Sequence, residues 1–297
     1  MVLVVLCALA PVHAQVPQLQ GWNLRFADDF NGPAGQLPSS RRWIFDLGHG
    51  YPGGDVDWGT HEVESYTARP GNIHMDGRGH LRIVALRDTV GQWTSARIET
   101  RRDDFRAPAN GILRIQARLR VPVVHGARAL GYWPAFWTLP RSFRRMINWP
   151  GDGEIDIMEN VNGLDRVWGT LHCGIVPGGP CHEKAGLSAN RACPRTTCQS
   201  GFHTYAFEWD RSVSPQQLRW YVDGRLYHTI RRSDLPAKTW NKMTLGKGMF
   251  VLLNLAMGGE FPDRLNDPVP TPTPATESGH ALVVDYVAVW TRVIGSN

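Results

Sequence analysis

Residues 153–159 read Gly-Glu-Ile-Asp-Ile-Met-Glu, which sets three carboxylates, Glu154, Asp156 and Glu159, among Ile155, Ile157 and Met158. Alternate residues of a β-strand share a face, so Glu154 and Asp156 point the same way. Glu159 lies further along, and a regular strand would turn it to the opposite face. A β-bulge near Ile157 or Met158, one extra residue opposite a single partner, brings it back. Carboxylates aligned on one face repel one another, which gains nothing structurally and points to chemistry. Cleaving a glycosidic bond takes one carboxylic acid to protonate the leaving oxygen and one carboxylate to attack or assist at the anomeric carbon. The Cα atoms of such a pair start roughly 13 Å apart on a strand. Side chains leaning inward can bring the carboxyls to about 5–5.5 Å, the separation of an enzyme that retains configuration. On this reading Glu154 is the nucleophile, Glu159 the general acid/base, and Asp156 the group that orients Glu154. Negative charge nearby should keep Glu159 protonated near neutral pH. A lone Glu-x-Asp is more often a solvated strand face; the aromatic residues that flank this one reverse that balance.

The elements that must position these residues are legible as strands. Residues 112–121 alternate strictly, with Leu113, Ile115, Ala117 and Leu119 on one side and Arg114, Gln116, Arg118 and Arg120 on the other. Asp223-Gly224 is a hairpin turn signal between two apolar-aromatic runs. Residues 249–257 and 281–291 are continuous β-rich runs, as expected of strands covered on both sides. Convincing amphipathic helices are lacking, and Gly and Pro recur at short intervals, so the fold class is all-β, a two-sheet antiparallel sandwich. The Pro-rich stretch 266–279 resembles an interdomain linker, but the residues after it are too few for a domain and read as the closing strand. It is a surface excursion within one domain.

With its neighbours included, the carboxylate motif resembles glycoside hydrolase family 16, in its laminarinase-like endo-1,3-β-glucanase branch. That family carries Glu-[Ile/Leu/Val]-Asp-x-x-Glu, while its lichenase and xyloglucan branches are similar but lack the additional residue. The resemblance extends over Phe26–Phe30 (with Asp29 where Glu is more usual), Pro70–Ile73 with Leu81–Ile83, Thr94–Arg97 and the aromatic segment Tyr132–Trp137. It continues through Gly169–His172, Phe202–Tyr205, Trp220–Gly224, Leu252–Ala256 and Val284–Val287. It implies a jelly roll of the concanavalin type, with the carboxylate strand lining a cleft across a concave sheet.

Trp133 and Trp137 share strand parity, and aromatic rings stack on the apolar faces of sugars. Phe136, of opposite parity, belongs in the core. By resemblance His172 sits near the scissile sugar, Asn72, Arg97 and Asn254 are polar cleft residues, and Trp58, Glu62 and Trp168 extend the subsites. The resemblance also brings a structural calcium on the convex side, with Asp285 and Asp29 as ligands beside backbone carbonyls; catalysis itself takes no cofactor. The expected activity is a secreted, retaining endo-β-1,3-glucanase acting on laminarin-type β-glucan. The alternatives are a mixed-linkage 1,3-1,4-β-glucanase, a galactanase, a transglycosylase, or a noncatalytic glucan-binding protein. The last typically lacks a catalytic glutamate, and this chain keeps both.

Composition bounds the rest. At 297 residues with 42% hydrophobic content the chain can bury a substantial core. Residues 1–10 are apolar and Val12-His-Ala14 follows as an A-x-A-like cleavage site, so residues 1–14 read as a signal peptide lacking its basic start, with residues 15–297 the single catalytic domain. The stretch is too short to span a bilayer, which argues against a membrane partner. The net charge of +5 has no basic run with interleaved aromatics and reads as a solvated basic surface, so no nucleic-acid partner is expected. The expected protein is a monomer whose partner is its polysaccharide.

Cys173, Cys181, Cys193 and Cys198 fall in one short segment. In an exported protein they imply two disulfides, with three connectivities open and the local pairing Cys173–Cys181, Cys193–Cys198 favoured. A zinc site drawing on His172, His182 or His203 is the rival, and the C-x2-C pairs usual for structural zinc are absent. Residues 174–200 show no clear strand pattern and read as a stapled loop beside the cleft.

Overall fold

The structure, a computed structural model, describes residues 15–295. The signal-peptide reading of residues 1–14 lies outside the described residues. Two antiparallel sheets pack face to face, as the sequence pattern requires. The first runs Leu187–Arg191, Val167–His172, Glu154–Glu159, Tyr132–Pro140, Met249–Met257, Arg97–Thr100 and Trp43–Asp46 in spatial order. The second runs Arg225–Arg231, Gln217–Val222, His203–Asp210, Gly111–Arg120, Ala281–Val293, Leu81–Val84 and Ile73–Met75, and Asn23–Asp28 also pairs with Ala281–Val293. A third, small sheet of Glu64–Tyr66, Leu86–Arg87 and Trp93–Ser95 sits at the side.

The core between the sheets follows the period-2 pattern. Leu113, Ile115, Ala117 and Leu119 are fully buried against Phe136, Ile157, Met158, Leu253 and Leu255, while Arg114, Arg118 and Arg120 are only partly covered. Asp223 and Gly224 both take positive φ, as the predicted two-residue hairpin demands. Residues 266–279 are tied to the body of the domain: Tyr132 Oη donates to the Glu277 carbonyl at 2.6 Å and Thr276 Oγ1 to the Leu130 carbonyl at 2.7 Å. The excursion is irregular chain held against the sandwich by these bonds.

Three elements differ from expectation, one of them the five-residue helix Glu260–Arg264. Leu187–Arg191, inside the segment read as structureless loop, is an edge strand paired with Val167–His172. Its side chains alternate between half-buried and exposed, so no apolar face marks it in the sequence. Ala237–Thr244 is a short α-helix that buries only Trp240 and Met243, too few apolar positions to announce itself.

The expected bulge is present. Against Tyr132–Pro140 the pairing steps from Phe136–Met158 to Trp137–Asp156, and against Val167–His172 it steps from Glu159–Trp168 to Asp156–Thr170. One residue of Glu154–Glu159 is therefore surplus on both sides. Ile157 and Met158 both enter the core, and Glu159 returns to the face of Glu154 and Asp156. From the opposite sheet the buried Trp220 donates its indole N–H to the Asp156 carbonyl at 2.8 Å, beside the bulge. Trp220→Phe keeps an aromatic ring, removes the donor to that buried carbonyl and leaves part of the indole's volume empty, which together are expected to cost at least about 1–3 kcal/mol. Urea denaturation of the oxidised protein checks it, and an unchanged midpoint would show that the bulge does not need this anchor.

Candidate active site

The face of the first sheet turned away from the core floors a cleft of about 630 Å³. Glu154, Asp156 and Glu159 lie on it with Trp133 and Trp137 from the next strand, Trp168 and His172 from the strand on the other side, and Asn254 beyond. Parity does this: Trp133, Ala135 and Trp137 line the cleft, while Phe136 is fully buried in the core.

Each carboxylate has a defined neighbour. Trp133 donates its indole N–H to Glu159 Oε1 at 2.9 Å. His172 stands directly opposite Glu154 in the strand register, and its Nε2 is 3.3 Å from Asp156 Oδ2. One polar atom from each of Glu154, Asp156 and His172 falls within 4.8 Å of the others. The second ring nitrogen of His172, Nδ1, is 2.7 Å from Glu183 Oε2.

The electrostatics follow. Burial first, and the Asp156 charge second, push the Glu154 and Glu159 carboxyls each up to about 8. In so tight a set the protons belong to the cluster rather than to either carboxyl. Burial alone would push the His172 imidazole down, yet the hydrogen bonds to Asp156 and Glu183 hold it well above its ordinary range. With a carboxylate beside each ring nitrogen, the set fits an imidazolium between anions.

The cleft floor beyond the carboxylates is equally fixed. Trp137 donates to Asn254 Oδ1 at 2.8 Å, Asn254 Nδ2 to Tyr66 Oη at 2.9 Å, and Tyr66 Oη to Glu62 Oε2 at 2.8 Å. Arg97, almost fully buried, donates to Asp46 at 3.1 Å and to Tyr51 at 2.8 Å. Its guanidinium lies 4.3 Å from the Trp58 ring centre and 4.7 Å from that of Trp137. Arg97 therefore stiffens the aromatic floor. Two aromatic floor positions and one carboxylate pair in one cleft can bind a sugar chain and cleave it by acid and nucleophile.

Residues 95–202 match the family described as the XgeA-like catalytic GH16 domain. A β-glucanase of Rhodothermus marinus is 32% identical over 91% of this chain and 85% of its own length. A glucan endo-1,3-β-glucosidase of Cryptopygus antarcticus is 30% identical over 91% of this chain and 92% of its own. The chain belongs to glycoside hydrolase family 16. A solved endo-1,3-β-glucanase of Streptomyces sioyaensis superposes with a TM-score of 0.92 at 52% identity, covering 95% of this chain and 100% of that one.

Within this family 16 domain, one expected cleft residue is elsewhere. Asn72 is buried off the cleft, accepting from Thr67 Oγ1 at 2.7 Å and donating to the Val84 carbonyl at 3.0 Å and to Thr94 Oγ1 at 3.1 Å. It ties the second sheet to the small one. Trp58, Glu62 and Trp168 do line the cleft. The cysteines pair locally, Cys173 with Cys181 and Cys193 with Cys198, which removes the zinc alternative.

The calcium expectation meets a different donor set. Asp285 is the surplus residue of a bulge in Ala281–Val293, is fully buried, and is paired by Arg118 on Oδ2. Asp29 accepts from Asn31 at 2.8 Å. Among the described residues, neither belongs to a cluster of three or more candidate ligands. Arg118 stands at Asp285 Oδ2, while the buried Oδ1 has no hydrogen-bond partner, so the side chain keeps one oxygen for a cation beside backbone carbonyls.

Sequence reasoning missed the walls. Tyr51, Trp149 and Lys184 come from loops, Phe143 from the short 3-10 turn Arg141–Arg144, and Phe261 and Arg264 from the short helix Glu260–Arg264, none long enough to carry a periodicity. Phe261 meets Trp133 and Trp168 edge-on at ring distances of 5.8 and 5.4 Å. Glu183 was missed too, and its place two residues after Cys181 was the only signal.

Proposed function

We propose that the protein is an endo-β-1,3-glucanase that cleaves laminarin-type glucan with retention of configuration. Glu154 attacks the anomeric carbon while Glu159 protonates the departing oxygen; Glu159 then acts as base as water releases the sugar from Glu154. The carrying observation is the bulge that brings Glu154 and Glu159 onto one face around Asp156. Role assignment rests on the neighbours. Burial and the Asp156 charge raise the two carboxyls alike, so the roles follow the register: His172 stands directly opposite Glu154, and Glu159 lies past the bulge. The reaction uses side chains alone. The 1,3-linkage is supported by the additional residue of the motif and by the names of the relatives described above. Export is supported by the two disulfides. No helix among the described residues is long and apolar enough to cross a membrane. We take the working form to be the monomer, since one chain supplies every residue of the mechanism.

Reducing-sugar release across laminarin, curdlan, lichenan and agarose tests the substrate. Laminarin and curdlan are expected to be cleaved, with the β-anomer as the first product seen by proton NMR. Preference for lichenan or agarose would move the linkage assignment, and an α-anomer first would overturn retention.

A further inference from the structure

Glu183 is a buried carboxylate that the mechanism above does not use. Its side chain is fully buried, at 0% exposure, which an ionised group tolerates only with partners that repay desolvation. It has two. The Cys173 amide donates to Oε1 at 2.7 Å, and His172 Nδ1 lies 2.7 Å from Oε2. The Cys173–Cys181 disulfide closes the loop that carries Glu183 against the strand that carries His172. Gly186, at φ +71°, lets the returning chain press on the imidazole, since a Cβ there would stand 2.9 Å from His172 Cε1. The charged groups around His172 include Glu159, whose carboxyl feels the imidazole charge across the cleft face. Asp156 and Glu154 come from the catalytic strand, Glu183 from the loop, and the Trp149 ring packs at 5.5 Å. The neighbouring Lys184 is directed away, to Glu260 at 2.7 Å.

We propose that Glu183 is a positioning residue for hydrolysis: by binding His172 Nδ1 it makes the imidazole, rather than Glu154, the holder of the proton that the nucleophile must give up. This rests on the role of Glu154 stated above. Two distributions of the same protons compete. In one, His172 is an imidazolium and Glu154 a carboxylate; in the other, His172 is neutral and Glu154 a carboxylic acid that cannot attack. Glu183 stabilises the first, because its carboxylate accepts the Nδ1–H and balances the positive charge. A glutamine there satisfies the Cys173 amide with its oxygen and turns its NH2 towards Nδ1, which then has to accept. The proton moves to Glu154, and the nucleophile ionises only at higher pH.

Glu183→Gln is therefore expected to move the acid limb of the kcat profile on the cleaved glucan upward by about one pH unit or more. On that limb kcat should fall about tenfold while KM changes less than about twofold. A merely structural role would lower kcat equally at all pH values, and that result, or an unmoved limb, would overturn the proposal. Ring 15N shifts of His172 in the unmodified enzyme, assigned by comparison with His172→Gln, give a readout independent of the variant's folding and of the substrate. An imidazolium at pH 6–7 is expected. A neutral ring there overturns the role of Glu183, whereas failure to cleave laminarin with an imidazolium present would fault the substrate assignment alone.

Discussion

Glu154→Gln is expected to lower glucan hydrolysis by about 10⁴-fold or more, equivalent to at least ~5.5 kcal/mol of barrier. The amide matches the carboxylate in shape and cannot form the glycosyl-enzyme. It also changes the cluster. Glu154 is half-buried beside Asp156, whose charge helps push it up to about 8. Replacing an ionisable group by a neutral one removes that repulsion, so folding stability should hold or rise slightly. Sugar affinity should also persist, because Trp133, Trp137 and Asn254 supply the contact surface independently of the charge. Binding of a laminarin oligosaccharide by calorimetry, alongside the hydrolysis assay, separates the two effects. Lost binding together with lost activity would mean that Glu154 holds substrate rather than attacks it. Retained activity would remove Glu154 from the mechanism.

Much of this site is legible in the sequence because strands write their geometry in steps of two. The parity of Trp133, Trp137 and Phe136 assigns cleft and core, and the surplus residue between Asp156 and Glu159 implies the bulge that both neighbouring strands record. Asn72 shows the limit. A polar residue near a strand end can face a cleft or serve a buried sheet junction, and only the partners on Val84 and Thr94 decide. Asp285 shows another: a buried aspartate calls for a cation, and nothing local announces the guanidinium of Arg118, from an adjacent strand, at one of its oxygens. Glu183 was invisible for a third reason. Its partner His172 is reached only when a disulfide folds an aperiodic loop back on the strand, a contact no spacing rule encodes.

Glu159→Ala should divide the reaction into its two halves. Proton donation by a placed carboxyl contributes about 10²–10⁴-fold, so laminarin hydrolysis is expected to fall by that amount. A substrate with an acidic phenol as leaving group needs no proton to depart, and its first step should persist. The glycosyl-enzyme on Glu154 then accumulates, since water has lost its base, and a burst of phenol precedes slow turnover. Azide, a nucleophile that needs no base, should restore turnover and emerge as the β-glycosyl azide. The pH profile carries a second sign. Glu159, pushed up to about 8 chiefly by burial, must stay protonated to act, so glucan hydrolysis falls as pH rises through that value. With the acidic phenol substrate and the alanine variant that alkaline limb should vanish. Trp133, the indole donor to Glu159, loses its partner in the variant, yet its ring remains on the cleft floor, so KM should change little. An α-azide, or a burst in Glu154→Ala instead, would exchange the two roles across the bulge, with the acid on the side of His172.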